Sequence, residues 1–281
     1  MGMNYLAKPI LAFACVSTLV SSHAMAAGID HLRPHRAVYD LSLQKASDRS
    51  GITGMQGRIV YEMTGSKCEG FAVRFRFMTN IQTPRKNFTN DQRTTSFESG
   101  DGSTFSFVQQ SYLNGQLEQD LRGEAKRDTT GTHIAITKPD QEQVELGESV
   151  FMTQHIGMLI DAAKKQQTIL TARVYDASDD GNELMDTTAI IGKLKAVLPT
   201  IKGEPSDITS LFKGKAAWPV SVSYFSHANM AGGGEKLPIY SVSFLMHESG
   251  VSRELKMQYA DYSLRGDLKN LEYLKVDKCE Q

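Results

Sequence analysis

The sequence predicts an all-β protein: one strongly curved antiparallel sheet of a dozen or more strands, a barrel or a spiral, with one main packed α-helix. Three observations predict this fold. Apolar and polar residues alternate with a period of two over most of the chain, as in strands that bury one face. Turn dipeptides separate these runs. A sheet of this many strands has to curl, split or close, because it cannot stay flat and open.

The clearest strand runs from 71 to 77, where apolar residues alternate with charged ones. The hairpin dipeptides Asn114-Gly115 and Asp101-Gly102 lie between such runs. Three glycines at 232–234 mark a longer loop between two further strands. The apolar face of the strand at 71–77 is expected to line a groove on the concave side of the curved sheet. Its residues are Phe71, Val73, Phe75 and Phe77.

One segment, 150–166, breaks the alternation and predicts an amphipathic helix packed on or inside the sheet. Its apolar stripe includes Ile156 and Leu159. Ser149 is expected to cap its start, and Lys164 suits the negative end of its dipole. The stretch 199–216 contains prolines and glycines and is expected to be rich in loops.

The N-terminal segment 1–26 is typical of a secretory signal peptide. Lys8 precedes an apolar run that ends before the small residues Ala24 and Ala26. Cleavage near Ala26 would deliver residues 27–281 to the periplasm as a single domain. No later segment is apolar enough to predict stable membrane insertion.

Cys68 and Cys279 remain after the signal, which carries Cys15, is removed. Two lone cysteines in an exported protein are expected to form a disulfide that closes the domain. The alternative is a pair of free thiols. A redox-active role is disfavoured because the sequence has no Cys-x-x-Cys.

Charge and motifs exclude several function classes. The chain has 31 basic and 32 acidic residues, which argues against nucleic-acid binding. Asp176-x-Ser178-x-Asp180 resembles the start of a calcium loop, but Thr187 stands where that loop needs a glutamate. Ser210-x-x-Lys213 lacks the companion triplets of penicillin-binding enzymes. The sequence therefore predicts no enzyme, no metal site and no cofactor.

Aromatic residues on one predicted strand are weak binding candidates. Trp218 opens that strand, and Tyr224 and Phe225 lie near its end. Such a cluster can form a recognition patch, since aromatic side chains supply large contact areas. The alternative is that they anchor the strand in the core.

Several features in order resemble one known family. They are the signal peptide, the run 35–43, the turn cysteine Cys68, Trp218-Pro219-Val220 and the terminal Cys279. Together they resemble the α-proteobacterial cell-envelope integrity family EipB, long catalogued without a function. The resemblance implies a periplasmic monomer folded as a β-spiral, a long antiparallel sheet of about fourteen strands that holds a helix, with its paired cysteines at Cys68 and Cys279. It also implies envelope maintenance under stress and a tetratricopeptide-repeat partner.

Two functional hypotheses follow. The first is a non-enzymatic periplasmic scaffold or binding module that maintains the cell envelope. The second is a carrier of lipid or lipoprotein, similar in shape to LolA and LolB, which holds an apolar or acyl ligand in a groove of the curved sheet.

Overall fold

The computed structural model describes residues 29–197, 201, 203–227, 237–276 and 279. The predicted signal peptide, Pro199 and the glycine loop 232–234 lie outside these ranges. Two single 3₁₀ turns, Ile29–His31 and Asp48–Ser50, flank the first strand.

Fifteen strands and two α-helices form within the described residues, which confirms the all-β class. The helices are α1 (Met152–Lys164) and α2 (Ser206–Leu211). The strands are β1 (His35–Ala46), β2 (Gly54–Ser66), β3 (Gly70–Gln82), β4 (Asn87–Glu98), β5 (Thr104–Leu113), β6 (Gln116–Arg127), β7 (Thr132–Lys138), β8 (Glu142–Leu146), β9 (Val150–Phe151), β10 (Ile169–Tyr175), β11 (Met185–Ile191), β12 (Ala217–Ser226), β13 (Tyr240–His247), β14 (Ser252–Tyr259) and β15 (Tyr262–Tyr273).

All fifteen strands belong to one sheet, in the order β8-β7-β6-β5-β4-β3-β2-β1-β15-β14-β13-β12-β11-β10-β9. The last strand returns beside the first, so two hairpin-linked halves share the β1–β15 pairing at the centre. One pair departs from the predicted antiparallel sheet, because β9 runs parallel to β10. The reason is α1, which connects these two strands as a crossover helix.

The sheet is rolled so that its two ends face each other. Phe105 of β5 stacks on Phe151 of β9, with ring centroids 5.1 Å apart, although these strands lie near opposite ends of the sheet order. Phe107 and Tyr175 meet in the same core. The two edge strands, β8 and β9, do not pair among the described residues, so the roll stays open.

The predicted helix is confirmed, with a different start. Val150 and Phe151 form β9, and α1 begins at Met152. Ser149 does not cap it, which corrects the prediction: its hydroxyl lies 2.8 Å from the Thr132 hydroxyl. The buried side of α1 packs on the inner face of the sheet, with Leu159 and Ile160 in the same core as strands β11 to β13.

The stretch expected to be rich in loops also contains α2. Its Ile208 is buried, and Phe212, just after the helix, is buried in the same core. The sequence did not indicate this helix, because six residues show too little periodicity to identify one. Tertiary burial of two apolar side chains stabilises the turn instead.

Candidate binding site on the concave face

The inner face of β3 is apolar but incompletely covered. Phe71 is buried at one end of the strand. Val73, Phe75 and Phe77, which point the same way, pack against the cores and remain partly exposed. The opposite face carries the charges: Arg76 donates two hydrogen bonds of 2.8 Å to Asp91. The predicted orientation of this strand is therefore confirmed.

A matching apolar surface lies on the neighbouring strand β2 and on β13 and β14 of the other half of the sheet. Tyr61, Val242 and Phe244 each pack against both large cores. Tyr240 and Tyr259 continue this surface and are also partly buried. We call these partly buried residues the concave trough: Tyr61, Val73, Phe75, Phe77, Tyr240, Val242, Phe244 and Tyr259.

Four tyrosines stack across consecutive strands at one end of the concave trough. Ring centroids are 4.5 Å apart between Tyr224 and Tyr240, 5.9 Å between Tyr240 and Tyr259, and 4.7 Å between Tyr259 and Tyr262. The strand register produces this ladder, since Tyr240 lies directly opposite both Tyr224 and Tyr259. Stacked rings at these distances stabilise a sheet and present a continuous aromatic wall.

The hydroxyls of this ladder make no hydrogen bond within the described part of the chain. Burial raises the pKa of Tyr259 to about 12 and raises the pKa of Tyr224, Tyr240 and Tyr262 as well. All four therefore remain protonated at neutral pH and can donate hydrogen bonds. The concave trough thus combines apolar walls with hydroxyl donors at one end, which suits an apolar ligand that carries a polar head group.

The sequence candidates on β12 separate in the structure. Trp218 and Tyr224 point inward and are buried in the core, while Phe225 points to the outer face. They do not form one patch. The sequence carried a usable signal that was missed, a tyrosine near one end of each following strand. These residues, Tyr240, Tyr259 and Tyr262, complete the ladder that begins at Tyr224.

Cys68 and Cys279 are bonded in the structure, with their Cα atoms 5.7 Å apart and a sequence separation of 211. Cys68 lies in the turn between β2 and β3. Gly100 packs directly on this turn, because a Cβ atom there would lie 1.9 Å from the Lys67 carbonyl oxygen. The disulfide therefore fastens Cys279 beside the end of β4.

A buried carboxylate from β4 holds the start of α1. Glu98 accepts hydrogen bonds from the backbone N–H of Thr153 (2.8 Å) and Gln154 (3.0 Å). This replaces the serine cap that the sequence suggested and satisfies two of the free donors at a helix N-terminus. Arg127 supports the junction by bonding the Gln154 side chain. Burial raises the Glu98 pKa from 4.5 to about 7, against the opposing effect of the two backbone donors.

Replacing Glu98 should therefore change how stability depends on pH. Between about pH 4.5 and 7 the unfolded chain has lost this proton and the folded chain keeps it, so the free energy of unfolding falls as pH rises. The full shift corresponds to about 3 kcal/mol. We expect wild type to lose about that amount relative to Glu98→Gln between pH 4.5 and 8, measured by urea unfolding.

Buried histidines change the free energy of unfolding with pH in the opposite direction to Glu98. Wild type is therefore compared with Glu98→Gln, which keeps the same histidines. Burial lowers the pKa of His155 to about 4, so its contribution is lost as pH falls, equally in both proteins. The exposed Glu118→Gln is the matched control and should follow wild type. Parallel curves for wild type and Glu98→Gln would contradict the prediction.

The residues with possible catalytic or metal chemistry have structural partners. The Ser210 hydroxyl donates to the Ser206 carbonyl within α2, at 2.7 Å. Asp176 accepts a hydrogen bond from the Ser178 N–H, as in an ordinary Asx turn. No group of three or more histidine, cysteine or carboxylate side chains suited to a metal occurs among the described residues. Over the same residues, each helix is too short or too polar to span a bilayer.

This chain is similar to known proteins in both sequence and fold. A family model described as EipB-like matches residues 26–275. The chain is 36% identical over 261 residues to the cell envelope integrity protein EipB of Brucella abortus (strain 2308), covering 91% of this chain and 89% of that protein. A crystal structure of a beta-barrel-like protein of domain of unknown function DUF1849, also from Brucella abortus, has a TM-score of 0.79 and 35% identity. That match covers 87% of this chain and 99% of the other.

Proposed function

Because the chain belongs to the EipB-like family, we propose that it maintains cell-envelope integrity from the periplasm by binding, without catalysis. Membership confirms the family resemblance that the order of motifs indicated. The name of the Brucella relative supports an envelope role for this chain. A periplasmic location rests on the export signal read from residues 1–26.

The concave trough is the observation that carries this proposal. A contiguous apolar surface that is not fully covered can serve as a binding site, and Phe75, Phe77 and Val242 of the trough are partly buried. The trough is inside a rolled sheet, which favours a slender apolar group over a flat protein surface. We infer that the ligand is an acyl chain, free or attached to a protein, with its polar head at the tyrosine ladder.

This inference favours the carrier hypothesis as the second, more specific function. The scaffold hypothesis places the activity on the outer surface, with a periplasmic tetratricopeptide-repeat protein as its expected partner and a monomeric chain as the unit. The two hypotheses differ in the role of the concave trough. In a carrier the trough binds cargo, and in a scaffold it only stabilises the fold.

Truncating one trough residue should weaken ligand binding. We expect Phe75→Ser to reduce affinity for a dansylated fatty acid at least tenfold, because the variant loses apolar contact area and exposes a hydroxyl in an apolar groove. Arg74→Ser, one residue away on the outer face, is the matched control and should bind as wild type does. The measurement is a fluorescence titration of each mature protein.

Two results would count against a carrier. One is native mass spectrometry of periplasmic protein that shows no acyl cargo. The other is full rescue of a detergent-sensitive deletion strain by Phe75→Ser, which would leave the scaffold hypothesis in place. The envelope role itself fails if the deletion strain resists detergent and cell-wall antibiotics as wild type does.

A further inference from the structure

Strand β10 has an edge that no other strand covers over most of its length. Its neighbour β9 is only two residues long and pairs with Val174 and Tyr175. Within the described residues, positions 169–173 therefore have a strand on one side only. At about 3.3 Å per residue, this open edge is roughly 16 Å long.

The hydrogen-bond alternation shows which backbone groups point outward. Ile191 N–H donates to the Thr168 carbonyl at 2.8 Å, so every second residue after Thr168 also faces β11. The residues between them, Ile169, Thr171 and Arg173, direct three N–H and three C=O groups away from the sheet. The Arg173 carbonyl lies where Val174 pairs with Val150, and it faces the N–H of β9. The Arg173 N–H and both backbone groups of Ile169 and Thr171 lie beyond this pairing within the described residues.

This edge lacks the features that usually prevent strand addition. Proteins protect edges with short strands, proline, bulges or repeated charges. The opposite edge strand, β8, is short and carries Glu142 and Glu145. The open part of β10 reads Ile-Leu-Thr-Ala-Arg, with regular register and no proline. Its Ile169 and the neighbouring Ile190 are 63% and 62% exposed.

Charged side chains of both signs surround the edge, with the cations in excess. Four cations near the two ends of the open segment form no ion pair with a carboxylate in the described ranges: Lys165, Arg173, Lys193 and Lys195. Asp186, opposite Arg173 on β11, is paired with His227. On the inner face, Leu170 and Ala172 are partly buried. Near Arg173 the edge opens into a cavity of about 400 Å³ that Met158, Asp128 and Glu148 also line.

We propose that the open edge of β10 binds an extended peptide segment of a partner protein, which adds as a strand beside residues 169–173. The partner strand alternates acidic and apolar residues. Its carboxylates lie on the outer face near Arg173, and its apolar side chains contact Leu170, Ala172 and Met158. Backbone hydrogen bonds supply the affinity, and the alternation supplies the specificity.

A labelled, end-capped peptide of alternating valine and glutamate tests this proposal against full mature protein by fluorescence anisotropy. We expect saturable binding that weakens with salt. Thr171→Pro removes one outward N–H, which an edge strand tolerates, and should reduce affinity tenfold or more. Gln143→Pro is the matched control: it removes an outward N–H from the β8 edge and should bind as wild type does.

A second variant leaves the backbone unchanged. Arg173→Glu should weaken the glutamate peptide and strengthen a valine–lysine peptide, and this reversal supports the proposal even where Thr171→Pro fails to fold. Binding that is absent, or unchanged in both variants, would overturn it. A concentration-dependent dimer that Thr171→Pro abolishes, with no peptide bound, would overturn it in favour of pairing between two copies of this chain.

Discussion

Removing the Cys68–Cys279 disulfide is expected to lower the free energy of unfolding by up to about 5 kcal/mol. The bond closes a loop with a sequence separation of 211 residues, and the loop-entropy model gives about that value as an upper estimate. The cause is mainly the unfolded state, which gains freedom when the loop opens. For a chain of this size the loss corresponds to a fall in melting temperature of roughly 10–20 °C.

The measurement is thermal and urea unfolding of wild type with and without reductant, beside a Cys68→Ser, Cys279→Ser double variant. The double variant should match reduced wild type and ignore the reductant. A local effect is also expected, because the Cys68 turn packs on Gly100, close in sequence to Glu98, the helix cap. Equal stability of oxidised and reduced wild type would show that the closed loop contributes nothing.

Strand alternation was readable from the sequence because burial of one face imposes it directly. The pattern at 71–77 identified both the inward phenylalanines and the outward arginines of β3, and the structure confirms them. The end of the strand differs from its middle: Phe71 is fully buried, while Phe75 is not. That difference depends on what lies across the roll, which local periodicity cannot encode.

The start of α1 shows a second limit. Ser149 stood at a suitable cap position and had the right chemistry, yet Glu98 performs this role from more than fifty residues away. A carboxylate reaches two backbone donors with one side chain, whereas Ser149 is already paired with Thr132. Only the rolled sheet brings β4 to the helix, so no local signal could have identified this contact.

The sequence position of Arg253 indicates that this arginine is buried, but it does not identify the carboxylate that pairs with it. In the alternation of β14 it falls on the buried face between Val251 and Leu255. A buried arginine requires a carboxylate partner, so this position was a usable signal for an ion pair that the sequence predictions did not include. The partner, Glu204, lies in the stretch expected to be rich in loops, 49 residues away, and nothing local links the two.

Breaking this pair should produce the second large effect on stability. The Arg253 and Glu204 side chains are each only 2% exposed, and Arg253 Nε donates to Glu204 at 2.8 Å. Glu204→Gln would leave a buried guanidinium without a counter-ion. We expect it to lower the free energy of unfolding by about 3–5 kcal/mol, measured by urea unfolding.

A double variant separates the cost of an unpaired charge from the worth of the pair. Replacing a buried ion pair by apolar residues of similar volume is often neutral or stabilising, so Glu204→Leu with Arg253→Met should recover most of the loss. Neutral single variants would show instead that water reaches the pair. A double variant less stable than either single variant would show that the loss does not come from an unpaired buried charge.

The pair also explains why α2 stays in place. Arg253 lies 4.5 Å from the Phe212 ring, and Phe212 in turn stacks on His247 at 4.2 Å. Glu204 accepts a hydrogen bond from Thr209 of α2, so one carboxylate joins this short helix to β14. A helix of six residues has little stability of its own. Loss of the pair should therefore release α2 first, and trypsin should cut wild type at Lys213 and Lys215 more slowly than Glu204→Gln.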